Sequence, residues 1–149
     1  MADQDESLYL RLELVAPMGP VFEGEVQMVV LPATTGELGI LPRHASLVAQ
    51  LSIGRLRALM PDGNWMTFAV AEGFAKVQFN KVIVLADAAE EASQIDVARV
   101  QERLERATRR LEMLRLGTVP EGETIDSYRE QTALKRARNR LKVAERLEK

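Results

Sequence analysis

Residues 77–116 read VQFNKVIVLADAAEEASQIDVARVQERLERATRRLEMLRL, and the residue pattern changes partway through them. Val77-Gln78-Phe79 and Val82-Ile83-Val84-Leu85 flank Asn80-Lys81, which predicts a tight hairpin between two strands. From Ala86 to Leu116 there is neither Gly nor Pro. Ser93, three residues before Asp96, resembles a capping box with Asp in place of Glu. Val97, Val100, Leu104, Ala107, Leu111 and Leu114 then follow at spacings 3-4-3-4-3, the apolar stripe of a helix. Strands therefore give way to helices inside this one segment.

Working upstream, the pattern stays that of strands. Leu8, Leu10, Leu12 and Leu14 alternate with Tyr9, Arg11, Glu13 and Val15, the period-2 sign of a half-buried strand. Pro17-Met18-Gly19-Pro20 breaks it. Residues 26–31 form a second apolar run, which Pro32 is expected to stop. Residues 47–60 are strand-like, Pro61-Asp62-Gly63-Asn64 is a turn, and residues 65–70 return from it. Many short strands between Gly and Pro turns predict a β-sandwich or flattened barrel.

Working downstream, Gly117, Pro120 and Gly122 break the first helix, and Thr124 is placed to cap the next. Leu134, Ala137, Leu141 and Ala144 repeat the 3-4-3 spacing. A short break between two stripes predicts an antiparallel helical hairpin. With the turn centred near residues 119–120, Arg99 is expected level with Arg140, and Arg103 with Arg136. The domains expected are a sandwich over residues 1–91 and a hairpin over residues 92–149, with helices at about 96–116 and 124–147.

Bulk properties narrow the function. The formal net charge of −2 hides an asymmetry: residues 1–95 carry 6 Lys/Arg against 12 Asp/Glu, and residues 96–149 carry 14 against 10. The two parts must present different faces to a partner. With no cysteine, thiolate metal sites and disulfides are excluded, which fits a reducing compartment. The start, MADQDESLYL, has no basic region followed by an apolar stretch, so no secretory signal is read. No run of about 18 apolar residues occurs, so direct bilayer insertion is not expected.

Catalytic chemistry has little to build on. His44 is the single histidine and sits after Pro42-Arg43 in a loop, where a hydrogen-bonded structural role is the simple reading. G-x-S-x-G, G-x-x-x-x-G-K-[ST] and G-x-G-x-x-G are all absent. One His and no Cys leave only carboxylates for a metal, and no metal site is assigned. Tyr128 is the sole aromatic after Phe79, so the basic hairpin lacks stacking platforms for single-stranded nucleic acid. The basic cluster Lys135-Arg136-Ala137-Arg138-Asn139-Arg140-Leu141-Lys142 is either a solvated face or a surface for an acidic protein or a polyphosphate.

Gly36-Glu37-Leu38-Gly39-Ile40-Leu41-Pro42-Arg43-His44-Ala45 resembles the epsilon subunit of bacterial F-type ATP synthase. So do PMGPVFEG at residues 17–24, Ala71-Glu72-Gly73-Phe74 and the run 80–87, and ALKRARNRLKVAERL at 133–147. The likeness covers nearly the whole chain in order. It implies a ten-stranded-type β-sandwich followed by two helices. It implies a rotor subunit of the central stalk that couples hydrogen or other ion flow to ATP synthesis, on the cytoplasmic face of the bacterial cell membrane and peripheral to it.

The resemblance further implies contacts of the sandwich with the gamma subunit and the membrane c-ring, through Glu37, Leu38, Ile40, Leu41, Pro42 and His44. The hairpin becomes a mobile arm that restrains ATP hydrolysis when extended to the catalytic alpha/beta subunits, through Arg136, Arg138, Arg140 and Lys142. The resemblance implies that no cofactor is required and that ATP is a regulatory ligand, as it is for some members of the family. The residues that would surround it are Glu90, Asp96, Arg99, Arg106, Arg136 and Arg140, with Ile95-Asp96-Val97-Ala98-Arg99-Val100 matching the family motif except for Val100 in place of Ala. The linker between the helices is longer than is usual in the family. A stand-alone nucleotide sensor and a basic-hairpin nucleic-acid binder are the alternatives; a sensor purifies alone, and a nucleic-acid binder takes arbitrary polynucleotides with steep salt dependence.

Overall fold

The computed structural model describes residues 8–147, and the acidic start read for the absence of a leader lies outside them. Two compact units divide the chain, Met1–Ala92 and Ser93–Lys149.

The first unit is a β-sandwich of eight strands among the described residues: β1 Leu10–Ala16, β2 Gly19–Val26, β3 Met28–Ala33, β4 Gly36–Ile40, β5 Leu47–Leu51, β6 Gly54–Leu59, β7 Trp65–Gln78 and β8 Lys81–Glu91. They pair in the order β2-β1-β8-β7-β5-β3-β4, with β6 bridging β3 and β7. Because β5 and β6 both join β3 to β7, the sheet closes on itself. β7 is long enough to serve two partners: residues 65–70 pair with β6 and residues 73–77 with β5. β8 pairs with β7 along its length and with β1 in parallel over residues 81–85. A ten-strand sandwich thus becomes eight hydrogen-bonded strands, because β7 and β8 each do the work of two.

The alternation read from Leu8 is carried through to packing from Leu10 onward, while Leu8 precedes β1 and is exposed. Leu10, Leu12 and Leu14 are buried while Arg11 between them is exposed. They join Val26, Val29, Leu31, Ile40, Leu51, Leu56, Phe68, Val70, Val77, Val82 and Val84 in one core drawn from all eight strands. Phe22 and Phe68 meet at 5.8 Å with planes tilted by 58°, a favourable aromatic geometry.

Three turns differ from the expectation. Pro32 does not end a strand; it lies inside β3 opposite Glu37, and its carbonyl accepts from Ser52 N at 2.9 Å. The run 26–31 divides between β2 and β3 around Gln27, whose side chain donates to the Met60 carbonyl at 2.9 Å. The β7–β8 turn is Phe79-Asn80 rather than Asn80-Lys81, with φ of 51° and 56°. Two successive left-handed residues make the tight hairpin turn, and Asn tolerates that region well. Midway along β7, Gly73 has φ 137°, and a Cβ there would meet the Leu85 carbonyl oxygen at 2.0 Å. Only glycine lets β7 change partners so close to β8.

The second unit opens with a 3-10 turn's last residues and holds two helices, α1 Val97–Leu116 and α2 Ser127–Leu147. Asp96 caps α1, accepting from Arg99 N at 3.2 Å. Gly117 closes it at φ 70°, with Gly117 N donating to the Leu114 carbonyl and Thr118 N to that of Met113, a Schellman arrangement. Asp126, not Thr124, caps α2, accepting from Arg129 N at 3.2 Å. From the stripes, Val100, Ala107, Ala137 and Ala144 are buried, and Ile125, Glu130 and Val143 join them.

Candidate functional site

In the hairpin, geometry starts from Glu130. Its carboxylate is 6% exposed, the one buried charged side chain among the described residues. Arg103 Nη1 donates to Oε2 at 3.3 Å, and Arg110 Nε lies 3.0 Å from Oε1. Glu130 occupies the position four residues before Leu134, so it continues the stripe Leu134, Ala137, Leu141, Ala144. It faces the stretch of α1 between Arg103 and Arg110.

The two contacts of Glu130 set the first turn of α2 beside the stretch of α1 between Arg103 and Arg110, and the end of α2 that carries Arg136 and Arg140 runs back toward the start of α1. Asp96 and Arg99 at the start of α1, and Arg136 and Arg140 near and beyond the middle of α2, belong to the same end of the hairpin. Arg99 is exposed; Arg136 and Arg140 are half-buried and each is engaged in an interaction; Arg138 and Lys142 are exposed. Val100, which stands where the motif has Ala, is fully buried and packs rather than lining a surface.

Arg106 is not part of that end. It lines a cleft with Arg103, Arg110, Thr124, Asp126, Arg129 and Glu130, near the connection. Glu90 lies in the other unit, on β8 opposite Ala69. On α1, Arg115 hydrogen-bonds the Glu112 carboxylate, which holds Glu112 below the usual carboxylate range and raises Arg115.

The loop assigned to ring contact divides in two. Glu37, Leu38 and Ile40 belong to β4, and Ile40 is wholly buried in the core, so it offers no surface to a partner. Its alternation was visible in the sequence: Leu38 and Ile40 point one way along a strand. Leu41 is exposed, Pro42 and His44 are half-buried, and His44 is held within the turn: its N donates to the Leu41 carbonyl at 3.1 Å, and Nδ1 lies 2.7 Å from the Ala45 carbonyl. Asn80 fastens this loop, accepting from Arg43 N through its side chain and from Arg11 N through its carbonyl. The neighbouring turn residue Phe79 is 89% exposed. Neither Asn80 nor Phe79 was in the expected contact set: Asn80 read as a turn former and Phe79 as the last residue of a strand, and the signal was a large apolar residue beside a hairpin turn.

A closed sandwich followed by a long helical hairpin is an architecture with known relatives. The family model for the ATP synthase, Delta/Epsilon chain, beta-sandwich domain matches residues 9–92. The model for the long alpha-helix domain of the same chain matches residues 93–145. An ATP synthase epsilon chain from Desulforamulus reducens is 44% identical over 135 residues, covering 91% of this chain and 96% of that one. Another from Halalkalibacterium halodurans is 44% identical over 137 residues, covering 92% and 98%. Among solved structures, a chain of the Euglena gracilis mitochondrial ATP synthase, OSCP/F1/c-ring assembly, superposes with TM-score 0.70 at 20% identity, covering 89% of this chain and 79% of that one, a likeness of fold. The chain belongs to the epsilon chain family of F-type ATP synthase. It is accordingly a subunit of an enzyme complex.

Proposed function

We propose that this subunit is a non-catalytic part of the rotor, whose sandwich docks on the gamma subunit and the membrane c-ring while its hairpin restrains ATP hydrolysis in response to ATP. The complex lies at the cytoplasmic face of the cell membrane, with this chain peripheral; among the described residues no helix is long and apolar enough to cross a membrane. The exposed Leu41 and Phe79, joined through Asn80, form the apolar part of the ring-facing surface, with Glu37 and the half-buried His44 beside them.

The observation that carries the regulatory reading is the course of the two helices. Running antiparallel, α2 returns Arg136 and Arg140 toward the end of α1 that holds Asp96 and Arg99, so that end of the hairpin carries three arginines and a carboxylate. Arginines suit a triphosphate, and a carboxylate can accept from the adenine amino group or the ribose. ATP held there favours the folded arm through its higher affinity for that state. The same arginines, with Arg138 and Lys142, would meet an acidic segment of a catalytic subunit when the arm extends. The narrow, alanine-containing stripe makes release affordable, since it buries little apolar area.

Two experiments test this. Calorimetry should show ATP binding by the chain and a loss of about tenfold or more for Arg136→Ala. Asp96→Asn, which keeps a capping oxygen, should weaken ATP without unfolding α1. Steady-state ATPase activity of the complex should rise at low ATP when residues from Thr124 onward are deleted, and change little at high ATP. Equal rates for whole and truncated complexes under both conditions, with full occupancy, would show the arm to be structural.

A further inference from the structure

The cleft near the connection carries more positive charge than the hairpin uses. Its walls hold four guanidinium groups and two carboxylates around about 370 Å³. Glu130 is occupied by Arg103 and Arg110. Asp126 spends one oxygen as the cap of α2, on Arg129 N. The head groups of Arg106 and Arg129 make no ion pair or hydrogen bond among the described residues. Arg110 Nε, although close to Glu130, is misaligned and buried without a hydrogen-bond acceptor. The cleft therefore has a formal excess of two positive charges, and the guanidinium groups of Arg106 and Arg129 are unspent.

We propose that this cleft binds a small phosphate-type oxyanion, inorganic phosphate or pyrophosphate, at a site separate from the Asp96 end of the hairpin. Guanidinium forks match the geometry of such oxyanions and bind them in pairs of hydrogen bonds. Arg106 comes from α1 and Arg129 from the first turn of α2, so one anion bridges the two helices. The positive end of the 21-residue α2 adds to the attraction. Thr124 supplies a hydroxyl donor from the connection itself. The lining has no aromatic or aliphatic wall, so it offers nothing to a nucleoside base and suits an anion without one. Binding draws the connection and α2 toward α1 and stabilises the closed hairpin. The inference does not rest on the ATP reading, and it assigns Arg106 to the anion cleft instead of the nucleotide.

The test is a titration of the full chain with inorganic phosphate and with pyrophosphate at constant ionic strength, followed by amide NMR, with chloride as control. Saturable shifts are expected at amides 124–130, stronger for pyrophosphate. Arg106 and Arg129 are exposed and unpaired, so Arg129→Gln and Arg106→Gln keep the fold, and each should weaken binding by about tenfold. Arg140→Gln should leave it unchanged. Shifts confined to the Asp96 end and lost in Arg140→Gln would overturn the proposal and leave the ATP reading standing. Linear, non-saturating shifts matched by chloride would show a solvated charged face only. Unchanged affinity in both Arg106→Gln and Arg129→Gln would also overturn it.

Discussion

Replacing Glu130 with Ala should loosen the hairpin and leave the sandwich untouched. Glu130 is buried, but its partners Arg103 and Arg110 keep 35% and 37% of their side-chain surface exposed. A fully buried pair broken on one side costs about 3–5 kcal/mol, whereas an exposed pair contributes about 0–1 kcal/mol. Two pairs of intermediate exposure, sharing one carboxylate, should together contribute about 2 kcal/mol, since Ala also leaves a void and two uncompensated cations. That corresponds to roughly a 30-fold rise in the open fraction of the hairpin. Native-state amide exchange measures it: amides of α2 around residues 131–144 should exchange about 30-fold faster, while those of β1 and β8 keep their rates. Glu130→Gln preserves volume and one acceptor and should cost about half as much. Hairpin amides exchanging at the parent rate in Glu130→Ala would refute the reasoning, because the carboxylate would then be holding nothing.

Gly73→Ala should destabilise the sandwich by about 3 kcal/mol or more, since its Cβ would lie 2.0 Å from the Leu85 carbonyl and φ there is 137°; thermal denaturation checks it. Asp96→Ala should cost the hairpin about 1 kcal/mol through the lost cap, and Asp96→Asn much less, read by helical circular dichroism on melting. Asn80→Gly keeps the left-handed turn but removes the side-chain acceptor of Arg43 N, so the Arg43 amide should exchange about 5–10-fold faster with little change in melting temperature. Glu112, held down by its hydrogen bond from Arg115, favours the folded state above the usual carboxylate range and loses that contribution as pH falls through its lowered value. Carboxyl NMR should place its midpoint below that of a free Glu, and Arg115→Gln should restore it.

The sandwich was legible wherever burial on one face writes an alternation into the chain, as in Leu10, Leu12 and Leu14. It was misread where backbone rules are relaxed by position. Pro32 sits within a strand just where β5 ends at Leu51, and its carbonyl is satisfied by Ser52. Phe79 adopts a left-handed φ that its residue type disfavours, imposed by the adjoining Asn80 and by the pairing of β7 with β8. The hairpin stripes were legible for the same reason as the strands, a fixed period. Glu130 was not, because a charged residue at a stripe position reads as exposed until the two arginines that neutralise it are located on the other helix. The basic groups at the Asp96 end could be named from the family motif, but their levels depend on the path of an irregular connection, which periodicity does not encode.

That path makes the role of Glu130 more specific than stabilisation. A stripe of Leu and Ala repeats every seven residues, so its apolar contacts survive a slip of one heptad almost unchanged. Glu130 does not. In the observed register it lies between Arg103 and Arg110. Slipped one heptad along α1 it would lie between Asp96 and Arg103, exchanging a salt bridge for a repulsion; slipped the other way, between Arg110 and Gly117, it keeps one partner and faces the end of the helix. Only one register surrounds the carboxylate with two cations. A buried polar group that costs stability in isolation is thereby the element that selects among near-equivalent packings, the best attested use of such groups. The consequence reaches the far end of the hairpin, because the same register decides which residues of α1 stand opposite Arg136 and Arg140. If Glu130 is replaced by Leu, the hairpin should remain helical and gain apolar contact, yet populate more than one register. Doubled amide resonances along α2, together with weaker ATP binding despite an intact Arg136 and Arg140, are the expected signature. A single set of resonances with parental ATP affinity would show that the connection alone sets the register.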